Sequence, residues 1–393
     1  MNIVKAAEEC FEEIRAFREE LHSFPELGHR EHRTSRRIAQ MLEGFGIPVL
    51  DCRLDTGVAA LIEGGKSGKM LAIREDIDAL PIAENTGLPF ASQHAGISHA
   101  CGHDIHAASL LGAAKILSQM REELCGSVLL IFQCAEETFD GAASMLQKDL
   151  FKNGVPDAVI GFHCAPSLPL GQVGVVSGIY NASCDRITLT VTGKGGHGAH
   201  PELCVDPVML SAGLLVQLQT IISRGNCPTD PAVLTFGTIH GGSAPNVIPD
   251  QVTLCGTLRT FDDRVRKKHL AEVERLSGEF CRAFKGDCRM TVDCGMPPLI
   301  NSPDICHLIE ESAQKVLGEK SVRTDLAPSM GSDDFSCILE ACRNHGAQFL
   351  VGTGIEEQEN TRLGLHVAEN VFPSEALLPG MMMLAQTAAD FLR

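Results

Sequence analysis

Between Val58 and Leu130, short apolar runs, VAALI (58–62), MLAI (70–73) and SVLLIF (127–132), alternate with stretches of helical periodicity such as residues 107–120. Runs of four to six apolar residues are too short to be buried helices, and their alternation with helical segments specifies an α/β sheet covered by helices. AVIGF at 158–162 supplies another buried strand. Ahead of the sheet, Val4, Ala7, Cys10, Phe11, Ile14, Phe17 and Leu21 recur at three- and four-residue steps and mark one buried face of an opening helix.

The pattern changes near Asp185. ITLTVTGKGGHG reads as a strand running into a glycine-rich turn, and Asp206-Pro207 supplies a cap and first-turn proline for an apolar helix through about residue 222. Two strand-like runs, AVLTFGTI and QVTLCGTL, a charged amphipathic helix at about 263–284 and a strand near RMTVDC follow. Strand, helix, two strands, helix, strand is a compact α+β unit of the split βαβ kind. Single cores stop growing near ~250–300 residues, and 393 residues call for at least two bodies. The expected division is an α/β domain of residues 1–183 and 296–393 with an inserted α+β, ferredoxin-like domain at 184–295, the segment Gly295-Met296-Pro297-Pro298 marking the return. An apolar helix near 374–391 rejoins the first body.

Lys plus Arg number 33 against 50 Asp plus Glu, a formal net charge of −17. Such a surplus repels phosphate backbones and anionic lipid headgroups, so neither nucleic acid nor a membrane is an expected partner. The opening segment MNIVKAAEECFEEIR carries acids where a signal peptide carries basic and apolar residues, and no apolar stretch reaches spanning length, which leads us to expect a cytosolic chain. The 16 cysteines are scattered without a Cys-x-x-Cys pair. Cys10, Cys52, Cys125, Cys255 and Cys281 are expected as small buried hydrophobes in a reducing compartment.

The densest polar cluster is SHACGHDIH, which places His99, Cys101, His103, Asp104 and His106 within eight residues. On an extended or irregular segment, side chains two apart converge, and imidazole with thiolate suits Zn, Mn, Co or Ni. A polar loop with capping histidines and a core cysteine would give the same string. SVLLIFQCAEE ends a buried strand in Glu136 and Glu137, and AVIGF ends in His163. Ligands in open α/β sheets gather beyond the carboxyl ends of strands, where these positions lie. Taken singly, the glutamates read as a solvated helix start and His163 as a structural histidine, and only the three clusters of N, S and O donors together point to a site. GKGGHG at 193–198 matches Gly-x-Gly-x-x-Gly literally, but a dinucleotide motif must open a helix at once, and Pro201 and Pro207 delay it to about Asp206. What remains is a glycine turn presenting His197.

Together REDIDALP (74–81), HACGHDIH (99–106), FQCAEE (132–137), GKGGHGAHP (193–201), GGSAPNVIPD (241–250), GTLRTFDD (256–263) and MGSDDFS (330–336) resemble the ordered motifs of one family. It is the metal-dependent amidohydrolases that include hippurate hydrolases, indole-acetyl-amino-acid hydrolases and N-acyl-amino-acid deacetylases, within the aminoacylase and carboxypeptidase superfamily. The resemblance implies a mixed-sheet catalytic domain of zinc-peptidase type with an inserted lid and dimerisation domain. It implies two divalent ions (Zn, Mn, Ni or Co) on Cys101, His103, Glu137, His163 and, in the late Gly-Leu-His segment, His366, with Cys101 as bridging thiolate. Glu136 then becomes the general base, and Asp78 and Asp104 match residues that orient ligands. His197 matches a histidine sent from the inserted domain to the reacting carbonyl. Asn246 and Arg259 match substrate contacts, Arg259 that of the α-carboxylate. The implied reaction is hydrolysis of an N-acyl amino acid, with a dipeptide-cleaving exopeptidase and a non-catalytic metal-dependent binder as alternatives. The sequence departs from the family pattern at Cys134, where proline is usual, and at Glu202 and Asp333, which bear on substrate preference.

Overall fold

The computed structural model describes the backbone of residues 1–393 and every side chain except that of Cys294. The chain forms two compact bodies, one of Met1–Gly178, Ile300–Ala327 and Asp334–Arg393, the other of Ile179–Leu299 and Pro328–Asp333. The first leg carries α1 (Ile3–Ser23), α2 (His32–Gly44), β1 (Val58–Glu63), β2 (Lys66–Asp76), α3 (His103–Gln119), β3 (Cys125–Gln133), α4 (Gly141–Leu146), β4 (Ala158–Pro169) and β5 (Val173–Gly174). The middle leg runs through β6 (Gly178–Asn181), β7 (Cys184–Thr192), β8 (Gly196–His197), α5 (Pro207–Ser223), β9 (Ala232–Gly241), β10 (Val247–Ile248), β11 (Gln251–Thr260), α6 (Asp263–Ala283) and β12 (Asp287–Met296). The return holds β13 (Leu299–Asn301), α7 (Pro303–Leu317), β14 (Val322–Arg323), α8 (Phe335–Ala341), β15 (Gly346–Gly354) and α9 (Leu377–Phe391).

The first body is α/β with a mixed sheet in the order β1-β3-β2-β4-β15-β5-β14. Its centre, β3, β2, β4 and β15, is parallel, while β1 runs antiparallel to β3 and β5 to β15. Of these, β3 and β4 carry nearly continuous apolar runs because helices cover both faces. Consecutive residues of β4 show it: a side chain at Gly161 would meet Phe335 of α8, whereas the neighbouring Phe162 reaches Gly380 of α9. Helices α1, α3 and α9 pack on one another. The packing of α3 on α9 needs Gly112 of α3, where a Cβ would stand 2.1 Å from Met381 Sδ.

The long strands of the second body follow the order β12-β7-β11-β9, antiparallel throughout, so the first strand in sequence lies between the last and the third. Burial alternates strictly along β11, as expected of a sheet with one covered face. Leu189, Val191, Leu210, Leu214, Leu218, Leu254, Leu258 and Val273 form this body's separate core. Helix α5 begins at Pro207 with the Asp206 side chain accepting from Val208 N–H and Met209 N–H, well after the glycine turn at 193–198. Among the described residues, no helix is long and apolar enough to cross a membrane.

Candidate metal centre

Strands β2, β3 and β4 bring their carboxyl ends to one edge of the first body. Asp76 of β2 pairs with Gln133 of β3, and the ladder of β2 with β4 ends at Ile73 and Ile160, three residues before Asp76 and His163. Side chains from the three strand ends and the loops after them therefore converge.

Cys101 and His103 arrive by a tight turn. Gly102 adopts φ +88° as the residue before α3, where a Cβ would crowd Cys164 and Phe372 at 3.2 Å, so glycine is the residue that fits. The cluster is extended only as far as this turn. From His103 onward it is helical, which places His103 and His106 on successive turns of α3 with stacked rings 5.2 Å apart. After β3 the chain reverses at Ala135, which holds φ +55° while donating its N–H to Glu31 Oε1 at 2.7 Å. A left-handed alanine is costly, and here it delivers the buried Glu136 and the partly buried Glu137 to the edge, Glu137 N–H donating to Asp78 Oδ2 at 3.1 Å. His366, also left-handed at φ +61°, is tied by its N–H to Ala100 O at 2.9 Å.

Two donor groups result, each with its ligand atoms within 4.8 Å of one another: Cys101, His103 and His163, and Cys101, Glu137 and His366. They share the Cys101 sulfur. His163 Nδ1 lies 2.8 Å from Cys164 O, so it carries the proton and leaves the Nε2 lone pair facing Cys101 Sγ at 3.5 Å. His366 Nε2 stands 3.3 Å from Glu137 Oε1. His103 donates from Nδ1 to Asp78, 3.0 Å from its carbonyl and 3.3 Å from Oδ1. Among the described residues its buried Nε2 has no hydrogen-bond partner, and it lies 3.6 Å from Asp76 Oδ1 and 3.8 Å from Glu137 Oε1. Glu136 shares a third group with His103 and Glu137 within the same 4.8 Å limit.

The electrostatics describe a site short of positive charge. Burial, and then the carboxylates of Glu137, Glu136 and Asp76, push the Cys101 thiol far above its usual range. Burial works against a charged His103, yet Asp76, Asp78 and Glu137 outweigh it and raise the imidazole to about 10. His99, buried with neither ring nitrogen hydrogen-bonded among the described residues, is driven by desolvation to about 3. A thiolate, imidazoles and a carboxylate around an orphaned buried nitrogen fit divalent ions of borderline softness, and the shared sulfur fits two of them.

Asp78 supports His103 and Glu137 directly. Asp104 instead turns toward α1, where its Oδ2 binds Arg18 Nε at 2.6 Å and His22 Nδ1 at 2.8 Å. Two buried residues at this edge have no role in the sequence reading: Asp76, and His106, seen there only as part of the cluster. Asp76 binds Arg74 and His106, and the available signal was the Asp-x-Asp alternation that also marks Asp78. In the second body, exposed His197 pairs with Val247, and Gly198 N–H donates to Asn246 O at 2.8 Å, so Asn246, in the turn that leads into β10, adjoins the His197 strand. Arg259 of β11 donates from Nη1 to Met330 O at 2.9 Å and Ser332 Oγ at 3.1 Å.

Residues 72–390 match the family model described as peptidase family M20/M25/M40. The chain is similar to the N-acetyl-L-cysteine deacetylase of Bacillus subtilis (strain 168), 43% identical over 82% of this chain and 76% of that one. It is 35% identical to the IAA-amino acid hydrolase ILR1-like 2 of Arabidopsis thaliana, over 98% of this chain and 86% of the other. Among solved structures, the YXEP protein of Bacillus subtilis, described as a dinuclear metal-binding peptidase, superposes with a TM-score of 0.81 at 33% identity, covering 98% of this chain and 99% of that one. With four-fifths of its length inside the family model and its strand ends gathered around a shared thiol, this chain belongs to peptidase family M20/M25/M40.

Proposed function

We propose that the protein hydrolyses the amide bond of an N-acyl amino acid, with an acetyl, benzoyl, indole-acetyl or similar acyl group, to a carboxylate and a free amino acid. The observation that carries this reading is the pair of donor groups sharing Cys101 beside buried Glu136. Cys101, His103, Glu137, His163 and His366 would hold two divalent ions, Zn, Mn, Ni or Co. Such ions polarise a carbonyl as Lewis acids and lower the pKa of water to about 7.

The rest belongs to the chain's own groups. Glu136 takes the proton of the attacking water and passes it to the departing nitrogen, a role worth ~10²–10⁴ in rate. Asp78 holds His103 in one tautomer and Glu137 by its amide. His197 donates to the developing oxyanion, a contribution of about 3 kcal/mol, and Asn246 binds substrate next to it. Arg259 receives the α-carboxylate with a planar fork whose direction is set by Met330 O and Ser332 Oγ. We assign 184–295 to an inserted lid and dimerisation domain and residues 1–183 with 296–393 to the catalytic domain. Support for a homodimer comes from α5, which has no charged residue yet exposes Val208, Met209 and Val216. The scattered cysteines, all thiols among the described ones, support work in the cytosol.

The test is metal analysis of the purified protein with a panel of acetyl-, benzoyl-, indole-acetyl- and longer-acyl amino acids run beside dipeptides. Two ions per chain and metal-dependent release of the amino acid are expected. Glu136→Gln should keep both ions and lose ~10²–10⁴ in kcat. Full turnover by that variant would remove Glu136 as base, and a metal-free, inactive wild type would end the proposal.

A further inference from the structure

Strand β4 parts from β2 after Ile160, the last residue of their ladder. The next amides on that edge, Phe162 and Cys164, then need partners from side chains, since buried N–H groups are seldom left unpaired. Phe162 N–H donates to Glu75 Oε1 at 2.8 Å, and Cys164 N–H donates to His106 Nε2 at 2.9 Å. Acceptance at Nε2 puts the His106 proton on Nδ1, which donates to Asp76 Oδ1 at 2.6 Å. Asp76 Oδ2 accepts in turn from Arg74 Nη1 at 2.9 Å. All three side chains are buried. On the other side of the same residue, Cys164 O accepts from His163 Nδ1, and the His106 and His163 rings meet edge to face at 4.8 Å.

We propose that Arg74, Asp76 and His106 form a positioning relay that fixes the Cys164 backbone and through it aims His163 Nε2 at the site beside Cys101. The proposal deepens the metal-centre reading and rests on it. Asp76, His103 and His106 also lie close enough together to suggest a separate cation site. Both His106 nitrogens and both Asp76 oxygens are already engaged, however, so these residues serve as frame and not as ligands. A buried neutral ring clamped at both nitrogens has one orientation. That rigidity is what a ligand anchored through its neighbour's carbonyl requires.

The experiment compares His106→Leu, His106→Gln, Phe162→Leu and His163→Ala with wild type. It measures zinc affinity by chelator competition, visible absorption of the cobalt-substituted protein, and thermal unfolding of the metal-free protein. His106→Leu should weaken one of the two ions by about 10–100-fold and alter the cobalt spectrum. His106→Gln, whose amide offers one acceptor and one donor, should recover part of both. Phe162→Leu, cut from the ring that lies 5.0 Å from His106, should lower the unfolding temperature with affinity and spectrum unchanged. Wild-type affinity in His106→Leu, or equal losses in His106→Leu and Phe162→Leu, would overturn the relay. If His163→Ala loses an ion while His106→Leu keeps both, the relay alone fails; if His163→Ala keeps both, the metal-centre reading fails and takes the relay with it. Should His106→Leu not fold, Asp76→Asn decides: about 10-fold weaker binding supports the relay, and unchanged binding overturns it.

Discussion

Asp104 stands in the first turn of α3 with its carboxylate buried between Arg18 and His22. Burial pushes its pKa up, but Arg18 and then His22 outweigh that and hold the carboxyl far below its usual range. A depressed folded pKa contributes stability that is present above the unfolded value of about 3.9 and is lost as pH falls toward the folded one. Asp104→Asn leaves the Arg18 guanidinium buried against a neutral amide, an expected cost of ~3–5 kcal/mol at neutral pH. Urea unfolding of the metal-free proteins should show this deficit at pH 7 and a smaller one below pH ~4, whereas a constant deficit would separate Asp104 from the pH dependence. Cys101 and His103 give a second expectation. Both hold protons at neutral pH in the metal-free protein, because the thiol is raised and the imidazole sits at about 10. Metal binding then releases about two protons and tightens as pH rises. Calorimetry in two buffers of different ionisation enthalpy measures the release, and none would contradict the assigned ligands. Cys101 and His103 were legible in the sequence because they crowd one octapeptide. His163 stands alone at the end of its strand, where a structural histidine would look the same, and His366 was singled out only by the family resemblance. Asp76 and His106 escaped because their partners, Arg74 and the Cys164 amide, come together only in the folded sheet.

Helix α3 carries the His103 turn and is locked against α9 by a contact whose cost can be measured. A Cβ at Gly112 would fall 2.1 Å from Met381 Sδ and 2.6 Å from its Cγ. Gly112→Val should therefore destabilise by ~1–3 kcal/mol through overpacking, although a bare helix would prefer valine to glycine there. Because the obstacle is one flexible side chain, Met381→Ala in the same protein should recover part of the loss. A double-mutant cycle by urea unfolding should then give a coupling of ~0.5–3 kcal/mol; strict additivity would mean that the helices do not meet at this point. Strands β1 to β4 were readable because each is a dense apolar run. Strand β15 was not, although it lies buried between β4 and β5, because GAQFLVGTG interrupts its apolar residues with glycines, Gln348 and Thr353. Helix α2 was missed for the opposite reason: only Thr34, Ile38 and Leu42 are buried, a stripe one residue wide in a charged segment.

At the scale of the whole molecule, two cores divide the work. All five proposed ligands lie in the first body, whereas α5 and the edge strand β9 lie in the second. A helix apolar on every side is normally buried all round, yet Val216 of α5 is 67% exposed and Met209 55%. Ile239 and Val233 of β9 are exposed in the same body. A chain of net charge −17 repels its copies, so association through this body must come from apolar burial and should strengthen with salt, which screens the repulsion over about 10 Å at 0.1 M. Val216→Glu adds charge to the face that would be covered and takes apolar area from it. Sedimentation should show wild type at twice the chain mass and Val216→Glu at the mass of one chain, more completely at low salt. Metal content should not change, because no ligand belongs to that body. A wild type that sediments as a single chain at every salt concentration would remove the dimer and leave the apolar face of α5 without an explanation. A variant that loses its ions together with its partner would show instead that the two bodies depend on one another.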